Sequence, residues 1–387
     1  MEVKQIYDIM NTVTGEVLGK SDIVAEDLSN VVDVGKEIID KDAVDNYVKS
    51  LVNRIGKVIF VNRPYSGSAP SVMMDGWEYG SVLEKIQCEL PDAVENDSWN
   101  LKDGQQYKED IFHAPKVSAK FFNSKTTFEV DLSFTDRQVK ESLGSPNELN
   151  GFYSMLYNSV DKSMTIKTDA LIMRTINRMI AETISHDLTA DTSTGYSNQS
   201  SNRAVNLLKM YNEKFGEKLT ADKCLTNPAF IRFASLTISL YKDRMSKISN
   251  LFNIGGKERF TASSDMHMIF LSDFASAANV YVQSDTYHNE FTALPNAETV
   301  PYWQGCGSGY DFNSVSAINV NLDSKKNVKT AGILGVMFDR EALGVTNMDK
   351  RVTTVFNAKA EFFNNFFKFD AGYFNDMNEN FVVFFVA

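Results

Sequence analysis

Apolar residues at Val3, Ile6, Ile9, Met10, Val13 and Val17 recur at near-helical spacing, with Gly19 just beyond them, and predict an amphipathic helix over residues 3–18. The same period returns as Val44, Tyr47, Val48, Leu51, Val52 and Ile55, closed by Gly56, and predicts a second helix over residues 43–55. Beyond Lys57 the pattern changes. Val58-Ile59-Phe60-Val61 and the alternating Thr127-Phe128-Glu129-Val130-Asp131-Leu132-Ser133-Phe134 read as strands. The Gly-, Ser-, Asp- and Asn-rich stretch between them runs for about 60 residues, too long for an ordinary connection, and reads as a functional excursion.

Ser145-Pro146-Asn147-Glu148 is the sharpest local signal: a Ser cap, Pro at the first helical position and Glu at the third. The stripe that follows, Leu149, Phe152, Leu156, Val160, Met164 and then Leu171, Ile172, Ile176, Met179, Ile180, Ile184, predicts a helix to about His186. At 1.5 Å per residue such a helix reaches roughly 60 Å, longer than a typical domain is wide. The stripe slackens between Thr165 and Ala170, so two shorter helices are the alternative. A polar break over 191–201 precedes a helix over 203–215 that stops at Gly216. Asn227 and Pro228 open another, predicted to run to about 251. Strand-like runs then occupy 266–271, 279–282, 315–322, 332–338, 352–369 and 381–386, with a short helix over 272–278. The order predicts an α+β protein with one over-long helix and a late antiparallel sheet.

Composition sharpens this. The chain has 387 residues, 43% of them hydrophobic and 23% charged, which excludes a disordered or coiled-coil protein and allows more than one core. Ten of the 27 Phe residues lie beyond Thr354, and the run from Phe362 to Phe369 places Phe on both faces of an extended strand, so that each face must meet apolar surface or another subunit. No run reaches the roughly 18–20 apolar residues of a membrane helix. Met1 is followed by Glu2, Val3 and Lys4 without an apolar signal core, which leads to the expectation of a protein kept in the cytosol. Cys88, Cys224 and Cys306 are odd in number and far apart, fitting reduced thiols. The net charge of −11 is uneven. Ten acidic residues fall between Asp75 and Asp110 against Lys85, Lys102 and Lys108, whereas residues 151–260 carry a mild basic excess. A pI near 5.0 and the absence of a basic arm argue against direct nucleic-acid recognition.

The residue types that carry catalysis converge poorly. Gly305-Cys306-Gly307-Ser308-Gly309 could present a thiol on a tight turn, with His267 or His288 as a base, which leaves a Cys-dependent hydrolase as a rival reading. His113, His186, His267 and His288 lack metal-ligand spacing, and no phosphate-binding glycine loop is present; no cofactor and no metal is expected. Asp339 and Glu341 read as dipole-complementing residues at the start of a helix.

Two late stretches resemble a known family. Residues 270–294 (FLSDFASAANVYVQSDTYHNEFTAL) and 335–387, with the internal M-F-D-R-E-A-L-G-V step, resemble the major capsid proteins of tailed bacteriophages of the Hong Kong 97 fold type, particularly phages of Gram-positive hosts. The resemblance is specific over about 75 residues and elsewhere one of layout. It implies an N-terminal arm (1–56), an extended loop (57–135), a peripheral domain with the spine helix (136–199), an axial domain (200–330) and return strands (331–387). It also implies pentamers and hexamers in an icosahedral shell around double-stranded DNA, a separate scaffolding protein and a portal, no catalytic site, and a virion protein assembled in the host cytoplasm. The inter-subunit contact candidates on that layout are Trp77, Glu78, Trp99 and Asp110 in the loop and Phe362 and Phe366 on the late strand. Crosslinking of a loop Lys, known in some members, is selected by no motif here. An encapsulin-like cellular shell on the same fold is the near alternative.

Overall fold

A computed structural model of the chain describes residues 3–19, 24–40, 43–61, 69–74, 83–88, 95–107, 112, 114–189, 196, 198–283, 297–303, 317–323 and 326–387. The helices are α1 (Val3–Leu18), α2 (Val31–Asp40), α3 (Val44–Val61), α4 (Asp136–Ser142), α5 (Pro146–Asp187), α6 (Leu207–Phe215), α7 (Ala221–Cys224), α8 (Pro228–Met245) and α9 (Ser272–Gln283). The strands are β1 (Met73–Met74), β2 (Leu83–Cys88), β3 (Val117–Phe122), β4 (Lys125–Thr135), β5 (Ala204–Asn206), β6 (Met266–Leu271), β7 (Glu298–Val300), β8 (Ile318–Asp323), β9 (Lys326–Thr330), β10 (Ile333–Asp339), β11 (Leu343–Asn357), β12 (Phe362–Asn375) and β13 (Phe381–Phe385). They form a four-stranded sheet in the order β1-β11-β12-β4, a five-stranded sheet in the order β5-β13-β10-β6-β7, and the two-stranded ribbons β2-β3 and β8-β9.

Helix α5 joins two cores. The Ser145 hydroxyl accepts from the Glu148 amide at 3.2 Å, and Pro146 sits at the first position, as the Ser-Pro-Asn-Glu signal requires. The N-terminal half of α5 buries Leu149, Tyr153, Leu156, Val160 and Met164 with α1, α3 and the Phe363, Phe367 and Phe369 face of β12. Its C-terminal half buries Leu171, Ile176, Met179, Ile180 and Ile184 with α8 and the five-stranded sheet. The slack region between the two stripes is one continuous helix. Thr165 and Thr168 donate their hydroxyls to the carbonyls of Asp161 and Met164, both at 2.9 Å, so the polar residues at this seam satisfy themselves within the helix.

Within the segment 1–56 read as an arm, the described residues form α1, α2 and most of α3, packed on this first core. Tyr47 of α3 and Tyr153 of α5 share a 2.7 Å hydrogen bond there, and burial pushes the Tyr47 phenol above its ordinary range. The α2 stripe of Val31, Val34 and Ile38 carries the helical period over too few turns to stand out in the sequence.

Several sequence readings are corrected. Residues 58–61 end α3 rather than forming a strand, because Gly56 is no barrier to a helix and no Pro intervenes before Val61. Residues 204–206 pair with β13, so the helix read from 203 begins at Leu207, with Asn206 as its cap; it stops at Gly216, left-handed at φ 68°, as read. Helix α8 ends at Met245, not near 251. Residues 279–282 continue α9, a short apolar run whose period does not separate helix from strand. The strand read over 352–369 is two, β11 and β12, joined by a turn in which Glu361 takes φ 51°. Asp339 and Glu341 start no helix: the segment is strand, turn, strand, and Asp339 accepts from the Glu341 amide at 2.9 Å. The late sheet is mixed, since β5 and β7 join it in parallel.

On β12 the two Phe faces separate cleanly. Phe363, Phe367 and Phe369 are buried, whereas Phe362 and Phe366 lie half-buried on the opposite face. Phe367→Ala is expected to cost the free subunit about 3–4 kcal/mol, and Phe366→Ala under about 1 kcal/mol. Urea denaturation of the two variants measures this, and equal losses would contradict the assignment of faces.

Candidate assembly surface on an anchored hairpin

The excursion read between the first helices and β4 contains the antiparallel ribbon β2-β3, in register from Leu83↔Phe122 to Cys88↔Val117. A strand alternates its side chains, so the ribbon has two unlike faces. Toward the body it turns Leu83, Lys85, Gln87, Ser118, Lys120 and Phe122, and away from it Glu84, Ile86, Cys88, Val117, Ala119 and Phe121.

The inner face is held by charge. Lys85 and Lys120 stand directly opposite each other, a repulsive cross-strand pair unless carboxylates intervene. Three do. Lys85 Nζ lies 2.7 Å from Glu379, 2.9 Å from Glu341 and 3.2 Å from Asp376, and Lys120 Nζ lies 2.8 Å from Asp376. Gln87 donates to Glu379 at 2.8 Å, and Arg259 approaches the same carboxylate at 3.4 Å. Phe122 completes the seat, its ring 5.1 Å from that of Phe374 on β12. The carboxylates come from the turns that follow β10 and β12, where Asp376 also accepts from the Asn378 amide at 3.0 Å. An open cleft of about 800 Å³ lies beside the cluster, lined among others by Glu84, Arg259, Asp265, Arg340 and Glu341.

Burial and charge oppose each other here. Burial raises the Asp376 pKa, but hydrogen bonds from Lys120 and the Asn378 amide and the charges of both lysines outweigh it and hold the carboxyl below its ordinary range. For Lys85, burial favours the neutral amine, yet Glu379, Glu341 and Asp376 together push its pKa up. In Glu379 burial dominates, and its pKa is raised despite Lys85 and Arg259.

The outer face is open and, Glu84 apart, largely apolar. Ile86 is 65% exposed, Val117 58% and Phe121 62%, and farther along the excursion Trp99 is 94% and Phe112 87% exposed. Exposed apolar side chains of this size are characteristic of surfaces that meet a partner.

Of the contact candidates from the sequence, Trp99 is on this excursion and exposed, while Trp77, Glu78 and Asp110 lie outside the described residues. Phe362 and Phe366 share the open face of the four-stranded sheet, with Phe366 between Thr353 and Asp131 and with Lys368 Nζ 5.8 Å from its ring centre. The structure does not bring them to the ribbon's ionic cluster. Sequence reasoning passed over Ile86, Val117 and Phe121, although Val117, Ala119 and Phe121 do alternate. Only part of the rival thiol site falls among the described residues. Cys306 and His288 lie outside the described residues; His267 is on β6 against Phe338, and burial lowers its pKa. Burial pushes the Cys224 thiol up to about 11, away from reactivity. Among the described residues no helix is long and apolar enough to cross a membrane, and no group of three or more His, Cys, Asp or Glu side chains could hold a metal ion.

Over residues 9–385 the sequence matches the Phi29-like phage major capsid protein family, and the chain belongs to that family. It is a structural capsid protein, a component of the virion whose copies form an icosahedral shell. Solved structures similar to it include the capsid of Staphylococcus phage Andhra, 10% identical over 82% of this chain and 83% of the other with a TM-score of 0.49. The capsid of cyanophage P-SCSP1u is 11% identical over 82% and 86%, with a TM-score of 0.45. Microbacterium phage Oxtober96 is 11% identical over 84% and 93%, with a TM-score of 0.40. No curated protein matches the sequence.

Because the Asp376 pKa is depressed, its contribution is fully present above the ordinary aspartate range and is lost as pH falls through the lowered value. Asp376→Asn is expected to cost about 2 kcal/mol at neutral pH and to flatten the acid limb of the stability curve. Glu379→Gln, at a site where burial already disfavours the charge, should cost less. Denaturant midpoints between pH 3 and 7 compare the two, and the reverse order would contradict this electrostatic account.

Proposed function

We propose that the β2-β3 ribbon and the excursion it belongs to are the subunit's main reach into its neighbours, and that copies joined in this way form the pentamers and hexamers of the shell. The observation that carries this is the pairing of an anchored inner face with an outer face of exposed Ile86, Val117 and Phe121. A closed shell repeats heterologous contacts, in which a patch on one copy meets a different patch on the next. A projecting apolar ribbon on a body with its own filled cores suits that geometry. Phe362, Phe366 and the exposed Val355 offer a second contact on the open face of the four-stranded sheet.

On this reading residues 1–56 are the N-terminal segment, 57–135 the extended loop, 136–199 the peripheral domain with its spine helix, 200–330 the axial domain and 331–387 the return strands. Assembly takes place in the host cytoplasm with a separate scaffolding protein and a portal, and the protein carries no catalytic site. The net charge of −11 supports a wall that encloses double-stranded DNA without gripping it, since a coat that neutralised phosphates would hold the genome against its surface.

Deleting residues 76–110 is expected to leave a soluble subunit that closes no shells, as seen by negative-stain microscopy; normal particles would sink the assignment. The milder double change Ile86→Ser and Phe121→Ser should raise the concentration needed for particles at least tenfold while leaving the urea midpoint of the free subunit unchanged. Light scattering reads the first quantity, and an unaltered threshold would mean that the outer face is not an interface.

A further inference from the structure

The ribbon meets its own body largely through polar and charged side chains. Beyond the apolar pair Leu83 and Phe122 at one end, where the Phe122 ring tilts against Phe374, its inner row is Lys85, Gln87, Ser118 and Lys120, and an open polar cleft runs beside it. Burial of charge is a poor source of stability, because the desolvation of each ion consumes much of the Coulombic gain. Geometry is what such a cluster supplies. Two lysines facing each other across the ribbon reach a carboxylate set drawn from two turns: Asp376 takes both lysines, while Glu379 and Glu341 each pair with Lys85. With Lys85 only 14% and Asp376 0% exposed, solvent cannot substitute freely for these partners. Asp376 is fixed in turn by the Asn378 amide, and its own amide donates to Ala342, so the socket is tied to the frame of the β10-β11 turn.

We propose that Lys85 and Lys120 are positioning residues for assembly: seated on Asp376, Glu379 and Glu341, they fix the angle of the β2-β3 ribbon in the free subunit so that its apolar outer face is presented ready to dock on the next copy. The proposal rests on the reading of the ribbon as an assembly element and adds how its orientation is set. Ordering a ribbon within the subunit removes that entropic cost from the association step, which is how pre-organisation raises affinity without new contacts. The lysines themselves touch no neighbour in this account.

The test pairs hydrogen exchange with assembly, using purified full-length subunits. In the Lys85→Met, Lys120→Met double variant, amides of 83–88 and 117–122 should lose at least tenfold in protection while those of β10 and β13 keep theirs. The particle threshold by light scattering should rise about tenfold, equivalent to about 1.4 kcal/mol. Lys85→Arg with Lys120→Arg should restore both, which a purely packing role for the long side chains of this pair would not distinguish from the Met variant. Should the double variant fail to fold, Lys120→Met alone, at the more exposed lysine, carries the same expectation in smaller measure. Unchanged ribbon protection in the Met variant would overturn the positioning role, and so would lost protection with an unchanged threshold. Failure of the underlying reading is seen separately: the Ile86→Ser, Phe121→Ser subunit would then assemble normally with its ribbon still protected.

Discussion

One helix has to serve two cores at once, and the rest of the subunit follows from that constraint. Helix α5 runs 42 residues without a break, about 63 Å at the standard rise. Its first half is the apolar floor beneath the four-stranded sheet and the N-terminal helices, and its second half lies among the five-stranded sheet, α6 and α8. Neither set of elements closes a core without it. The Thr residues near its middle donate their hydroxyls to the carbonyls one turn back, so these polar groups are satisfied within the helix where it passes from one core to the other.

A rigid subunit built on this beam can carry unlike surfaces on projecting parts. The β2-β3 ribbon turns its lysines toward its own body and mostly apolar side chains toward solvent, the reverse of a strand that covers its own core. The same economy marks β12, whose buried Phe row packs inward while Phe362 and Phe366 look out among polar neighbours. For a protein whose copies form a shell, these outward apolar rows are consistent with surfaces sized for other copies, and the filled cores beneath them keep the free subunit folded until those copies arrive.

What could be read from the sequence was what is local. The six apolar positions of α1, the Ser-Pro-Asn-Glu start of α5, the alternation of β4 and the caps at Asn227 and Gly216 each contain their own physical reason within a few residues, and each is found where it was read. Residues 58–61 and 279–282 read as strands because three or four apolar residues in a row fit either period, and only the surrounding helices decide between them. The ionic cluster was illegible for a different reason. Lys120 and Asp376 are 256 positions apart and Lys85 and Glu379 are 294 apart, so no spacing rule joins them. The excursion could be recognised as out of the ordinary by its length and acidity, but not its two-faced ribbon, whose inner face acquires meaning only from turns folded onto it from the far end of the chain.

The most direct test of this account is a cryo-electron microscopy map of the assembled particle at side-chain resolution. The account predicts an unbroken α5 spanning both cores of each subunit, the Lys85 and Lys120 seat on Asp376 and Glu379 intact, and Ile86, Val117 and Phe121 buried against a neighbouring copy. A map in which that face of the ribbon stays in solvent, with neighbours joined elsewhere, would contradict it.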